Sequence, residues 1–128
     1  RGEVVVSDRF VLANVVYQGH AGGLDPAALW AVGAVSTGGL FPDRTLVFDL
    51  PPAAARERRG RAADRMESRG DDYQTRVRNG FLAEAAKRPE ACRVIDATPD
   101  ADAVHAAVWR VVSPLLVERG HLPNAEKG

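Results

Sequence analysis

The chain has 128 residues, 45% hydrophobic and 27% charged, the balance of one globular domain and not of a disordered tail or a multidomain protein. Its 17 Lys+Arg match its 17 Asp+Glu, so no global field attracts nucleic acid or anionic lipid and any anion site must be local. No apolar run approaches the roughly eighteen residues of a membrane span, and the lone cysteine, Cys92, can make neither an internal disulfide nor a thiolate cluster, so a cytoplasmic location is expected.

The chain opens on Arg1, not Met, and the apolar run Val4-Val5-Val6-Ser7-Asp8 follows almost at once. That entry predicts a chain that starts inside a longer protein. The run reads as a buried strand, as do Leu46-Val47-Phe48-Asp49 and Arg93-Val94-Ile95-Asp96. Each is short, β-branched or aromatic, and closes on an aspartate, as strands of a parallel sheet covered on both faces do. Helical patterns lie between them. One runs from Phe10 to about Gln18, and Asp25-Pro26 then opens a second with an N-cap and a proline at the first helical position, stopped by Gly38-Gly39. Ala53 to Arg59 reads as helix, and a longer one through Tyr73, Val77, Phe81 and Leu82 reaches about Arg88 before Pro89. In the last helix Val104, Val108, Val111, Val112 and Leu115 form an apolar stripe that Pro114 and Gly120 are expected to end. Strands alternating with helices imply a doubly wound α/β sheet, whose ligands bind beyond the carboxyl ends of the strands, where Asp8, Asp49 and Asp96 would sit.

Chemistry concentrates around the first of these aspartates. Arg9, directly after a strand, can present its fork to a phosphate, and the Asp8 carboxylate can hold Mg²⁺ or its waters. Asn14, Tyr17 and Gln18 lie about one turn apart, so one helix face could meet a base and sugar. The bland alternative is a salt bridge of Asp8 and an ordinary amphipathic helix. All cations but Lys87 and Lys127 are arginines, the side chain suited to bidentate phosphate recognition. His20, His105 and His121 lack metal spacing and are expected in structural or surface roles. Trp30 and Trp109 are expected to pack in the core or between helices, and Gly22-Gly23 reads as a hinge.

Asp8-Arg9-Phe10 with Tyr17-Gln18-Gly19, Pro42-Asp43-Arg44-Thr45 before a strand ending in Asp49, Asp64-Arg65-Met66-Glu67, Arg76-Val77-Arg78-Asn79-Gly80-Phe81 and Val94-Ile95-Asp96-Ala97 together resemble the thymidylate kinase family in order and spacing. The resemblance spans nearly the whole chain. It implies ATP-dependent phosphorylation of dTMP to dTDP, a step of dTTP biosynthesis, on a P-loop NTPase-like parallel sheet with flanking helices. The residue matching Asp8 then serves the magnesium and phosphate region, that matching Arg9 grips the dTMP phosphate, and Asn14, Tyr17 and Gln18 border thymine and deoxyribose, Tyr17 where a ribose 2′-hydroxyl would crowd. Residues 53–68, with Arg56, Arg58, Arg59, Arg61 and Arg65, match the mobile lid over ATP. Arg58, Arg59 and Arg61 are its candidate catalytic arginines, and Arg56 and Arg61 its candidate ATP contacts. A solvated charged helix is the alternative for any one of them. Asp96 and Ala97 match the loop that borders adenine.

One departure from the family is large, because no Gly-x-x-x-x-Gly-Lys-Ser/Thr occurs in the chain and with it the main grip on the ATP β- and γ-phosphates is missing. Residues 1–128 are therefore expected to be a partial domain without the N-terminal P-loop strand, inactive by itself. In the family's strand order, 2-3-1-4-5, the runs ending at Asp8 and Asp49 would flank that strand and leave open edges. A homodimer is implied for the intact protein, with dTMP, ATP and Mg²⁺ as its ligands and neither nucleic acid nor membrane as partner. The competing readings are a nucleotide- or partner-binding relic and another nucleoside or deoxynucleoside monophosphate kinase.

Overall fold

The computed structural model describes residues 2–59 and 70–123, apart from the side chains of Arg59 and Asp71. In chain order the elements are α1 (Val11–Asn14), a π-helical segment (Val15–His20), α2 (Pro26–Ser36), β1 (Thr45–Asp49), α3 (Pro52–Arg59), α4 (Gly70–Lys87), β2 (Cys92–Asp96) and α5 (Ala101–Glu118). β1 and β2 pair in parallel, from Thr45 opposite Cys92 to Asp49 opposite Asp96. Parallel neighbours need a long crossover, which α3 and α4 supply.

Among the described residues the sheet has two strands, so the first expected strand is corrected. Val4 to Ser7 joins no ladder, and Val5 and Val6 are 84% and 92% exposed. A strand exists only through a hydrogen-bonding neighbour, and β-branched composition alone does not provide one.

The first helix also differs from the expectation. It begins after Phe10, whose backbone is extended, and after one turn widens into the π-helical segment. α2 follows its capping signals: the Asp25 carboxylate accepts from the Ala27 N–H at 3.0 Å, and Gly38 and Gly39 turn the chain at φ 62° and 78°. α5 continues through Pro114 to Glu118. The ring removes a single backbone hydrogen bond, while Val111, Val112, Leu115 and Leu116 stay half-buried on both sides of it. Trp109 is exposed and not packed as expected. It lies about 100° around the helix from Val108 and so falls off the apolar stripe.

The core joins Leu12, Val16, Val47, Val77, Ala85 and Cys92, with Tyr17, Trp30, Tyr73 and Phe81 against it. It brings α1, the π-helical segment and α4 onto the sheet. On α4 the stripe Tyr73, Val77, Phe81 and Ala85 recurs every fourth residue, which presents one face to β1 and β2. Close approach needs glycine at two crossings. A Cβ at Gly33 would overlap the Val11 Cγ1, and one at Gly80 would lie 2.7 Å from the His20 Cβ.

Candidate functional site

Two groups of the expected site residues take definite form. The first is built where the extended N-terminal segment enters α1. Arg9 has φ 69°, the left-handed region that a branched-off Cβ disfavours, and among the described residues it is the one non-glycine residue with positive φ. The Ser7 hydroxyl donates to the Arg9 carbonyl at 2.9 Å, which steadies the bend. Strain of this kind, on the order of 1–3 kcal/mol, persists where surrounding structure fixes it, and it gathers at functional sites. The bend carries the Arg9 guanidinium over the Tyr17 ring, 5.2 Å from its centroid. Phe81 of α4 meets Tyr17 edge-on, with centroids 6.0 Å apart and planes at 84°.

Tyr17 is therefore a half-buried platform braced by Phe81, with a cation above it. Asn14 and Gln18 are exposed beside it on the same helical run. Such a set offers a fork for an anion, a ring edge for a sugar, and two side-chain amides for a base. Asp8 is exposed in the same bend. It does not end a strand beside Asp49 and Asp96, because Val4 to Ser7 is unpaired.

The second group occupies the carboxyl edge of the sheet. Asp49 and Asp96 stand opposite each other in register. The Asp49 carboxylate accepts from Arg78 Nε at 2.6 Å and Nη2 at 2.8 Å, and this hydrogen-bonded fork holds its pKa below the usual aspartate value against burial and the neighbouring Asp96. Asp96 Oδ1 accepts from the Thr98 hydroxyl at 2.7 Å and the Thr98 N–H at 2.9 Å, which likewise holds its pKa down. The Ala97 N–H donates to the Asp49 carbonyl at 2.9 Å. Arg58 Nη2 donates to the carbonyls of Thr98 and Pro99 at 2.8 and 2.9 Å. Its fork thus meets backbone oxygens of the loop after β2, and it joins the end of α3 to that loop.

Arg56 is exposed on α3. Arg61 and Arg65 lie outside the described residues, as does the Arg59 side chain, and most of the expected lid with them. Among the described residues no cluster of three or more His, Cys, Asp or Glu could hold a metal, so Asp8 is a single carboxylate ligand candidate. His20 is half-buried against Glu84, at 2.9 Å, a structural pairing as expected. Two groups were missed in the sequence. Arg78 belonged to a recognised motif but had no partner assigned. Glu84 lies on the apolar stripe of α4, three residues after Phe81 and seven after Val77, and a carboxylate in that register is itself a signal of a buried polar network.

The family model described as Thymidylate kinase matches residues 1–108. The chain is 50% identical over 97 residues to a thymidylate kinase of Rhodopirellula baltica, an alignment covering 76% of the chain and 40% of that relative. It is 44% identical over 108 residues to one of Bifidobacterium longum, covering 84% of the chain and 52% of the relative. A thymidylate kinase of Symbiobacterium thermophilum is 41% identical over 119 residues, covering 92% and 56%. The chain thus spans about half the length of the curated relatives it matches.

Proposed function

The chain belongs to the thymidylate kinase family, and from that membership we propose that the protein carrying it phosphorylates dTMP to dTDP with ATP and Mg²⁺. In that reaction a dTMP phosphate oxygen attacks the γ-phosphorus of ATP, the bond to the β–γ bridging oxygen breaks, and ADP leaves.

The observation that carries the reading is the Arg9–Tyr17 pair, a guanidinium held by a left-handed backbone bend over a braced aromatic ring. Arg9 takes the dTMP phosphate, where a bidentate fork orients the attacking oxygen and neutralises its charge. Tyr17 lies against the deoxyribose and crowds a 2′-hydroxyl, and Asn14 and Gln18 meet the thymine edge. Positioning and charge neutralisation are most of what phosphoryl transfer needs from a protein.

The donor set also suits the metal. Mg²⁺ keeps several waters and is held by one or two carboxylates together with substrate phosphates, which the single exposed Asp8 matches. When bound, the ion supplies neutralisation of phosphate charge. For ATP the chain offers the loop at Asp96 and Ala97 beside adenine and the arginines at 56, 58, 59 and 61 as lid, with no Gly-x-x-x-x-Gly-Lys-Ser/Thr for the β- and γ-phosphates. The exposed Val32 and Val35 of α2 suit a helix-packed homodimer. No helix among the described residues is long and apolar enough to cross a membrane.

The test is ADP release by the purified protein that carries these residues, with dTMP, dUMP, UMP and AMP offered in turn. Turnover that prefers dTMP supports the reading. Preference for another acceptor selects a different monophosphate kinase, and nucleotide binding without turnover selects the non-enzymatic reading.

A further inference from the structure

Glu84 is the most completely buried charged group of the described residues, 1% exposed. Its carboxylate accepts from His20 Nε2 at 2.9 Å, Trp30 Nε1 at 2.8 Å, Lys87 Nζ at 2.7 Å and Arg88 Nη1 at 2.6 Å. These donors come from the π-helical segment, from α2 and from the end of α4. The Arg88 guanidinium also lies over the Trp30 ring, 3.9 Å from its centroid. A carboxylate on the apolar face of a helix costs several kcal/mol unless its lone pairs are used. Here one carboxylate ties three elements at a single point.

The element most dependent on that tie is the π-helical segment. π-Helices are rare and occur mostly as single turns, frequently at functional sites, and a segment of this kind keeps its winding only under tertiary constraint. His20 is its last residue, and its wider winding shows in the Ala21 N–H donating to the Val16 carbonyl at 2.9 Å. Gly80 of α4 lets that helix approach His20 closely, since a Cβ there would lie 2.7 Å from the His20 Cβ and 2.9 Å from its Cγ. One residue later on α4, Phe81 braces Tyr17. One face of α4 thus carries Gly80, Phe81 and Glu84 against one turn of the π-helical segment, and that turn bears Tyr17 and Gln18.

We infer that Glu84, acting through His20, is a positioning residue for nucleoside recognition: it holds the winding of Val15–His20 and so the placement of Tyr17 and Gln18 against the substrate. The inference rests on the dTMP reading of that site. A merely structural role would weaken the whole fold and every substrate alike. A positioning role, whatever its effect on stability, raises KM for the nucleoside acceptor and leaves KM for ATP unchanged.

The experiment compares His20→Ala, His20→Gln, Glu84→Gln and Trp30→Phe in the protein that carries this chain. It reads kcat, KM for dTMP and for ATP, and amide hydrogen exchange over residues 15–21. His20→Ala is expected to raise KM for dTMP by roughly tenfold, the scale of one hydrogen bond to a charged group, with KM for ATP unchanged and faster exchange in 15–21 but not in α5. His20→Gln, which keeps an N–H donor, is expected to restore much of both, and Glu84→Gln to follow His20→Ala. Trp30→Phe removes another Glu84 donor outside the π-helical segment and is expected to lower Tm without raising KM for dTMP. An unchanged dTMP KM in His20→Ala overturns the inference, as does an equal rise in Trp30→Phe. An unsubstituted protein with neither dTMP binding nor turnover overturns the nucleotide reading and this inference with it.

Discussion

Arg78 of α4 grips both carboxylate oxygens of Asp49 at the last position of β1, at 2.6 and 2.8 Å. The Asp49 carbonyl accepts from the Ala97 N–H, so the loop after β2 is set by the strand that the arginine holds. Because Arg78 holds the Asp49 pKa below its usual value, this stabilisation is full above the ordinary aspartate pKa near 4 and is lost as pH falls below it. Both groups are partly solvated, which screens the pair. A double-mutant cycle of Asp49→Asn and Arg78→Ala should give a coupling of about 1–2 kcal/mol at pH 7, the range for a bidentate charged pair. Arg78→Lys should lose much of it, because an ammonium cannot fork. Urea unfolding of the four proteins measures the coupling, and additive effects would deny the pair its role.

Glu84 should dominate the acid limb of stability. Burial alone raises its pKa, but hydrogen bonds from Lys87, His20, Trp30 and Arg88 outweigh burial and bring it from 4.5 to about 2. A group depressed on folding stabilises fully above its unfolded pKa and loses that contribution as pH falls through its folded value. A shift from 4.5 to about 2 is worth roughly 3 kcal/mol, most of it lost between about pH 4.5 and 2. Urea midpoints between pH 7 and 2.5 should fall over that window. Glu84→Gln should start lower at pH 7 and show a shallower fall, and an unchanged slope would place the acid sensitivity elsewhere.

The sequence carried the parts of this fold that depend on local chemistry. Asp25-Pro26 and Gly38-Gly39 bounded α2, and the aspartate-ended apolar runs located β1 and β2 to within a residue. It failed where an element depends on a distant partner. Val4 to Ser7 is as β-branched as β1 but has no strand beside it among the described residues, and packing carries α5 across Pro114, a residue that by local chemistry ends a helix. The candidate site divides the same way. Arg9 and Tyr17 were legible from their order along the chain, whereas the left-handed bend that brings them together requires the Ser7 and Tyr17 contacts to be seen. The π-helical winding has no signature in Val15 to His20 alone. The partner that stabilises it, Glu84, lies 64 residues away from His20.

Gly33 sits where α2 crosses α1, and a Cβ there would overlap the Val11 Cγ1. Gly33→Ala would normally favour a helix by up to about 1 kcal/mol. Overpacking against buried Val11 should reverse that sign and destabilise by about 1–3 kcal/mol. Val11→Ala leaves a small void of its own but opens room for the new methyl. The Gly33→Ala/Val11→Ala double variant should therefore be more stable than the two single effects predict when added. Thermal or urea unfolding decides it, and simple additivity would mean that the helices do not touch there as described.

Arg9 should be the arginine whose loss is felt on the acceptor side. Arg9→Ala in the kinase-active protein should remove roughly 2–4 kcal/mol of transition-state stabilisation, the scale for deleting a charged partner of the reacting group. The fall should appear in kcat/KM for dTMP. Arg9→Gly separates the two contributions of this position: it relieves the φ 69° backbone yet lacks the guanidinium, so it should be at least as stable as Arg9→Ala and as inactive. Tyr17→Ala should narrow the preference for dTMP over its ribonucleotide counterpart, because the 2′-hydroxyl regains room. Unchanged kcat/KM in Arg9→Ala would remove the dTMP phosphate from this residue.

The 128 residues by themselves should consume no ATP in response to dTMP. Phosphoryl transfer requires that the β- and γ-phosphates be fixed in line with the acceptor, and in P-loop enzymes successive backbone N–H groups and a lysine do this. Nothing in the chain has the Gly-x-x-x-x-Gly-Lys-Ser/Thr pattern, and neither of its two lysines, Lys87 and Lys127, directly follows a glycine. Lys87 is moreover bonded to Glu84. In the proposed reading the acceptor half of the site, Arg9 with Tyr17, needs no such cradle, so dTMP should be retained more tightly than ATP. The extended, exposed Val4 to Val6 adds a physical consequence, since an unpaired β-branched segment invites association through its open edge. Light scattering of the isolated chain should therefore rise with concentration, and replacing Val5 by lysine should suppress it. Titration calorimetry with dTMP and ATP, beside an ADP-release assay on rigorously purified chain, tests the whole argument. Measurable turnover by the chain alone would mean that its own arginines hold the transferring phosphates, and would move the catalytic centre from Arg9 towards α3.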